Sequence, residues 1–287
     1  MTRLRETDIE QVIEQIARYD SELKVKTGYT LAEIAAHAVG LQNPERIGQA
    51  GFGTAAVIPM TCGQGVISSF SETVAGILSF LGMRAFVTPS TDVKGMAEAL
   101  EQHAEFIFMA DDERFIGIHL KSGCLSDNSV ATGKGYAAAL DYLSGGLRER
   151  DILILGAGPV GRAAAFSASG FGGKVHIYDR SNEASQSLAE AVLRERHELV
   201  LIEETLHSAL NNHRLIIDAT PETGFITENY LYPDTCVAAP GMPLGVHPKA
   251  LLEIQSRLIH DPLQLGVATM LYDLIHQVEN EEEGRIR

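Results

Sequence analysis

Asp151-Ile-Leu-Ile-Leu155-Gly156-Ala-Gly158-Pro159-Val160-Gly161 is the stretch on which the fold turns. An apolar run without polar alternation describes a strand buried on both faces, as in a parallel sheet covered by helices. The glycines that follow it have the spacing of a strand-to-helix turn around a pyrophosphate. Without a Cβ the backbone can approach the phosphates, and the N-terminus of the helix opening at Pro159 stabilises their charge. Beyond Gly161 the strand expected at 174–178 ends on Asp179, an acid placed to accept from both hydroxyls of an adenosine ribose and to repel a 2′-phosphate. NAD is therefore expected ahead of NADP, with the adjacent Arg180 the residue that argues the other way.

Downstream, strands are expected at 199–202, 215–218 and 235–238, alternating with helices over 160–169, 183–195 and 206–211, which is an open parallel sheet. Ala219-Thr220-Pro221 and Pro240-Gly241 follow two of these strands. The carboxyl ends of such strands hold ligands, so these residues join Gly156, Gly158, Pro159, Val160, Gly161, Asp179 and Arg180 as cofactor candidates; ordinary turn chemistry is the alternative reading.

Upstream, Thr7-x-x-Glu10 and Thr30-x-x-Glu33 are capping-box patterns before helical apolar spacing. Apolar runs at 55–60, 85–88 and 106–109, with helical stretches at 66–81 and 93–102 between them, read as βαβ units, and a further strand is expected at 115–120. A helix over 131–147 ends at Ser144-Gly145-Gly146. The expected architecture is α/β: a smaller N-terminal α/β substrate domain over 1–127, and an NAD-binding Rossmann domain over 128–287 that takes in a C-terminal helix and a solvated acidic tail at 279–283.

Composition narrows the function classes. The 287 residues suffice for two domains, and 23 Lys plus Arg against 38 Asp plus Glu leave a net charge of −15, so nucleic acid and anionic membranes are not expected as partners. No apolar run reaches the ~20 residues needed to span a bilayer, and Glu6, Asp8 and Glu10 interrupt any signal-peptide core. Three cysteines without C-x-x-C spacing argue against a disulfide framework or a thiolate zinc site, and a cytoplasmic location fits. The ten histidines show no metal spacing, so no metal is expected.

A nicotinamide domain needs a partner that presents substrate. Three polar clusters beside apolar strands qualify: Thr61-Cys62-Gly63, Asp111-Asp112 and Asp127-Asn128-Ser129. Each has a bland alternative, respectively a helix cap, a turn acid and a turn former.

The residues Lys26-Thr27-Gly28, Pro59-Met-Thr61-Cys62-Gly63-x-Gly65, Ser69-Phe-Ser-Glu72, Asp92-Val-x-Gly95, Met109-Ala-Asp111-Asp112-x-x-Phe115, Ala219-Thr-Pro221, Pro240-Gly-x-Pro243 and Leu265-Gly-Val-Ala-Thr-Met-Leu271 resemble the pyrrolysine synthase family over nearly the whole chain. Cys62 stands where that family's loop has a serine. The resemblance implies a fold similar to amino-acid dehydrogenases. It also implies NAD-dependent oxidation of the terminal amine of a methylornithyl-lysine dipeptide, ammonia loss, and ring closure with loss of water. It implies Asp111 as the catalytic acid that orients the amine and takes its proton, with Thr61, Cys62 and Asn128 as substrate contacts. Leu4 would belong to an N-terminal helix lying over the substrate. The expected partners are then a dipeptide-like small molecule and, at most, a second copy in a homodimer. Competing readings are a shikimate-type or methylenetetrahydrofolate-type dehydrogenase, in which a substrate-domain lysine is expected and none is found at a matching loop, and a non-catalytic NAD-binding sensor.

Overall fold

The computed structural model describes residues 4–41, 53–63, 65, 67 and 69–286. Its contacts divide the chain into one unit formed by 1–21, 31–131 and 262–287 and a second formed by 22–30 and 132–261. This differs from the expected division at 127/128 in the terminal segments. A terminal apolar helix can complete either core, and nothing in its local sequence says which.

The first unit opens with α1 (Glu6–Ile9), α2 (Val12–Thr27, whose last turns belong to the second unit) and α3 (Leu31–Val39). The expected box at Thr7 and Glu10 does not form. The helix is capped two residues earlier, at Arg5, whose backbone N–H donates to Asp8 Oδ2 at 2.7 Å instead. Next come β1 (Thr54–Ile58), α4 (Phe70–Phe80), β2 (Arg84–Val87), α5 (Asp92–Glu101), β3 (Phe106–Ala110), β4 (Phe115–His119) and β5 (Leu125–Asp127). β1 is buried throughout and pairs parallel with β2 and β3, as the βαβ pattern requires. The turn 111–114 is too short for a crossover, so β4 returns antiparallel to β3, and β5 antiparallel to β4. The described part of the helix expected from 66 begins at Phe70, after Ser69 at φ +63°, and Val66 lies outside the described residues.

The last helix (Gln264–Ile286) buries Leu265, Val267, Leu271, Tyr272 and Leu274 and packs on α3, α4 and β4. It runs on through the acidic residues expected to be a solvated tail. Glutamate is a good helix former, and adding turns to an established helix costs little.

The second unit carries α6 (Asn128–Ser144, which begins in the first unit), β6 (Asp151–Leu155), α7 (Pro159–Gly170), β7 (Lys174–Tyr178), α8 (Asn182–Arg196), β8 (Leu201–Ile202), α9 (Leu206–Asn212), β9 (Leu215–Asp218), β10 (Cys236–Ala238), α10 (Leu251–Ile254) and β11 (Leu258–Ile259). The sheet order β11-β10-β9-β6-β7-β8, parallel throughout, is that of a doubly wound dinucleotide-binding fold. Register brings Leu155 beside both Tyr178 and Asp218, so the carboxyl ends of β6, β7 and β9 are level. The segment 22–30 is held to this unit by Lys26 Nζ donating to Leu258 O at 2.9 Å and by Tyr29 stacking on Tyr142 with ring centroids 3.8 Å apart. Lys26-Thr27-Gly28 thus includes a structural tie.

Candidate functional site

In the second unit, Gly156 has φ +92° and donates its N–H to Tyr178 O at 2.9 Å, turning the chain out of β6. A Cβ on Gly161 would lie 1.9 Å from Gly156 O, so only glycine lets α7 seat this close to the strand. A Cβ on Gly158 would meet no atom of the protein within 4 Å. The space before the N-terminus of α7 is open, with Pro159 at its first turn and Val160 beside it. These residues fit the pyrophosphate of a dinucleotide, since the loop is tight where helix meets strand and clear where phosphate oxygens would approach.

Asp179 is tied into this loop. Its Oδ2 accepts from Ala157 N at 2.7 Å and its Oδ1 from Ser181 N at 2.8 Å, which aims a half-buried carboxylate at the edge of the glycine turn. Arg180 is the cation next to Asp179 in sequence. Its guanidinium pairs with Glu222 at 2.8 Å, with its side chain 77% exposed.

The loops after β9 and β10 join the same edge. Ala219 N donates to Leu155 O at 2.9 Å, and a Cβ on Gly156 would lie 3.0 Å from Ala219 O. Gly241 N donates to Asp218 O at 2.9 Å, and a Cβ on Gly241 would come within 2.2 Å of Thr220 O. Gly156, Ala219, Thr220 and Gly241 therefore converge, with Pro221 and Pro240 next to them in sequence. Asp218 organises the loops from beneath and has no part in the sequence reading beyond ending a strand. It is fully buried, its Oδ1 accepts from Thr220 N and Oγ1 at 3.1 and 2.7 Å, and its Oδ2 has no hydrogen-bond partner. Burial pushes its carboxyl up to about 6, against the lowering effect of the Thr220 bonds and of the nearby Gly245 N–H.

In the first unit the three polar clusters also meet. Thr61 donates to Asp92 through N at 2.9 Å and through Oγ1 at 2.6 Å, and those bonds hold the Asp92 carboxyl below the usual range. Asp92 opens α5 at φ +53°, its own N–H bonded to Pro59 O at 3.0 Å. Cys62 is exposed, and a Cβ on the following Gly63 would strike Asp112 Oδ2 at 2.0 Å, so the loop after β1 and the loop after β3 touch. Arg114 bridges from that second loop to Asp127, just before Asn128, at 2.8 Å.

Asp111 itself is engaged locally. Its Oδ1 accepts from Glu113 N at 2.8 Å and Arg114 N at 2.7 Å, closing the β3–β4 turn, and these bonds hold its carboxyl below the usual range. A carboxylate so stabilised stays ionised, as a group that pairs with an ammonium requires. The N-terminal helices have a packed seat in their own unit, with Ile9 buried and Ile13 filling the space above Gly76, while Leu4 is half-buried ahead of them. Asp92 and Arg114, which join the clusters, carry no local sequence signal for that role, because their partners lie 31 and 13 residues away.

Comparison with known proteins follows this geometry. Residues 8–126 match the family model described as the N-terminal domain of pyrrolysine biosynthesis protein PylD, and residues 132–224 match that of the C-terminal domain of alanine dehydrogenase/PNT. The chain is 29% identical over 279 residues to pyrrolysine synthase of Methanosarcina acetivorans, covering 96% of this chain and 100% of that protein. It is 30% identical over 278 residues to pyrrolysine synthase of Methanosarcina barkeri, covering 96% and 98%. Among solved structures, quinate dehydrogenase from Corynebacterium glutamicum in complex with NAD aligns with TM-score 0.52 at 14% identity, over 78% of this chain and 93% of that one, a likeness of fold.

Proposed function

The chain belongs to the pyrrolysine synthase family, and on that footing we propose that it uses NAD to oxidise the terminal amine of 3-methylornithyl-N6-lysine. Together with the dehydrogenase-type dinucleotide domain, the family makes it an oxidoreductase of pyrrolysine biosynthesis that uses a nicotinamide cofactor. The observation that carries the finer reading is the Asp179 carboxylate, bonded to Ala157 N at 2.7 Å and so placed where a ribose diol would sit beside the glycine loop. Arg180, the cation next to Asp179 in sequence, is engaged with Glu222 at 2.8 Å.

When bound, the nicotinamide would supply the hydride acceptor for the carbon that bears the amine, after the ammonium has released a proton to solvent. The resulting imine takes up water and releases ammonia. The carbonyl so formed condenses with the internal amine, releasing water and leaving the ring C=N bond. The chain's own residues bind and orient. Asp111, kept ionised by its two backbone donors, anchors the substrate ammonium through charge rather than by taking its proton. Thr61, locked by Asp92, and the exposed Cys62 line the same loop cluster, and Asn128 reaches it from the start of α6. Leu4 contributes an apolar contact ahead of α1. The test supplies the purified chain with the dipeptide and NAD, the dipeptide and NADP, or shikimate and NAD, following reduced nicotinamide by absorbance and products by mass spectrometry. Reduction with the dipeptide and NAD, with the cyclised product, is expected; turnover of shikimate, or no reduction with the dipeptide, would refute the reading.

A further inference from the structure

Away from the cofactor loops, three side chains converge on the sheet of the second unit: His176 on β7, Glu203 just past β8 and His213 just past α9. One ligand-capable atom from each lies within 4.8 Å of the others. Glu203 Oε1 is 3.0 Å from His176 Nδ1 and 3.7 Å from His213 Nε2. These values bracket the roughly 3.3 Å edge of a tetrahedron with ~2.05 Å bonds to zinc. The side chains are 13%, 15% and 3% exposed respectively, so the cluster is sheltered but reachable.

One outer hydrogen bond sets a proton position. Ala209 O can only accept, so at 2.8 Å it fixes the His213 proton on Nδ1 and leaves Nε2 bare toward the carboxylate. His176 lies between two carboxylates, its Nε2 3.2 Å from Asp151 Oδ1 and its Nδ1 3.0 Å from Glu203 Oε1. The carboxylate-to-imidazole arrangement is the one that orients metal-bound histidines and raises their basicity. Glu203 is anchored by its own N–H on Ile177 O at 2.8 Å and by Ser208 Oγ at 3.4 Å from Oε2. Two imidazole nitrogens and a carboxylate oxygen thus lie close together, a donor set that binds a divalent cation when both rings are neutral.

We propose that His176, Glu203 and His213 form a site for a divalent first-row transition ion, zinc by its ligand set, with Asp151 orienting His176 and a fourth position left to water. Imidazole with carboxylate selects zinc or cobalt over calcium and magnesium. The ion would clamp β7, the end of β8 and the end of α9 together, in a stabilising rather than a catalytic role. The sequence expectation of no metal rested on short-range spacing and is revised here, because the ligands come from three separate segments.

The experiment uses the full, untagged chain after chelator dialysis, titrated with cobalt(II) and then displaced by zinc(II). One equivalent of cobalt should bind with the visible bands of a tetrahedral site, zinc should displace it, and saturating zinc should raise the unfolding midpoint by about 5 °C. Glu203→Gln and His213→Gln should abolish the bands. Asp151→Asn, at a residue 63% exposed and so no threat to folding, should weaken cobalt binding about tenfold or more. A wild-type chain that takes up no cobalt, or full binding retained in Glu203→Gln with unchanged affinity in Asp151→Asn, would overturn the proposal.

Discussion

Replacing Asp218 by Asn tests whether the cofactor loops rest on a carboxyl whose ionisation burial penalises. The side chain is fully buried, Oδ2 has no partner, and its carboxyl is pushed from 3.8 up to about 6. Because the folded value lies above the unfolded one, folding favours the protonated form. The stability this group contributes is greatest in acid, and it is lost as the pH rises from about 4 through 6. A gap of about two pH units, at 1.36 kcal/mol each, amounts to about 3 kcal/mol, an order-of-magnitude figure. Asn keeps an oxygen for the Thr220 donors but carries no charge. The stability of Asp218→Asn relative to the parent should therefore rise by about 3 kcal/mol between acid and pH 8, whatever constant offset the amide introduces. Urea unfolding of both proteins at matched pH values between 4 and 8 reads this difference, and groups common to both cancel. A difference that stays flat across that range would show that Asp218 ionises without penalty and would refute the reasoning.

The two motif glycines should separate fold from binding. Gly161→Ala forces a Cβ to within 1.9 Å of Gly156 O and should lower the unfolding midpoint, whereas Gly158→Ala meets nothing in the protein and should leave the midpoint unchanged while weakening NAD binding at least tenfold; unchanged NAD affinity in Gly158→Ala would remove the pyrophosphate assignment. Asp179→Asn should weaken NAD by roughly 1.5–3 kcal/mol while narrowing the preference over NADP, measured by calorimetry. Asp111→Asn should raise KM for the amine more than it lowers kcat and leave the pH profile of kcat in place, since an ionised anchor and not a proton acceptor is lost; a kcat collapse with a shifted profile would identify Asp111 as the base.

The dinucleotide site was legible because its logic is local. A buried strand, three glycines and a helix start lie within Asp151–Gly161, and the acid that completes the site ends the very next strand, so neighbours in sequence are neighbours in space. The parallel order of the second sheet followed from the same alternation. What local pattern could not decide were matters of partnership between distant segments. The helix at 264–286 could have completed either core, and only its packing on α3 and α4 assigned it to the first unit. Asp111 and Asp112 are equivalent in sequence, yet the turn engages one with backbone donors while the other abuts Gly63. Asp218 reads as a strand end until the loop at Gly245 closes over it and buries its carboxyl. His176, Glu203 and His213 are separated by 27 and 10 residues and meet only because β7, β8 and α9 are wound onto one sheet. Periodicity and turn chemistry act over a few residues and are written in the chain, whereas desolvation and convergence of charge depend on which surfaces come to lie together, and only the tertiary structure supplies that.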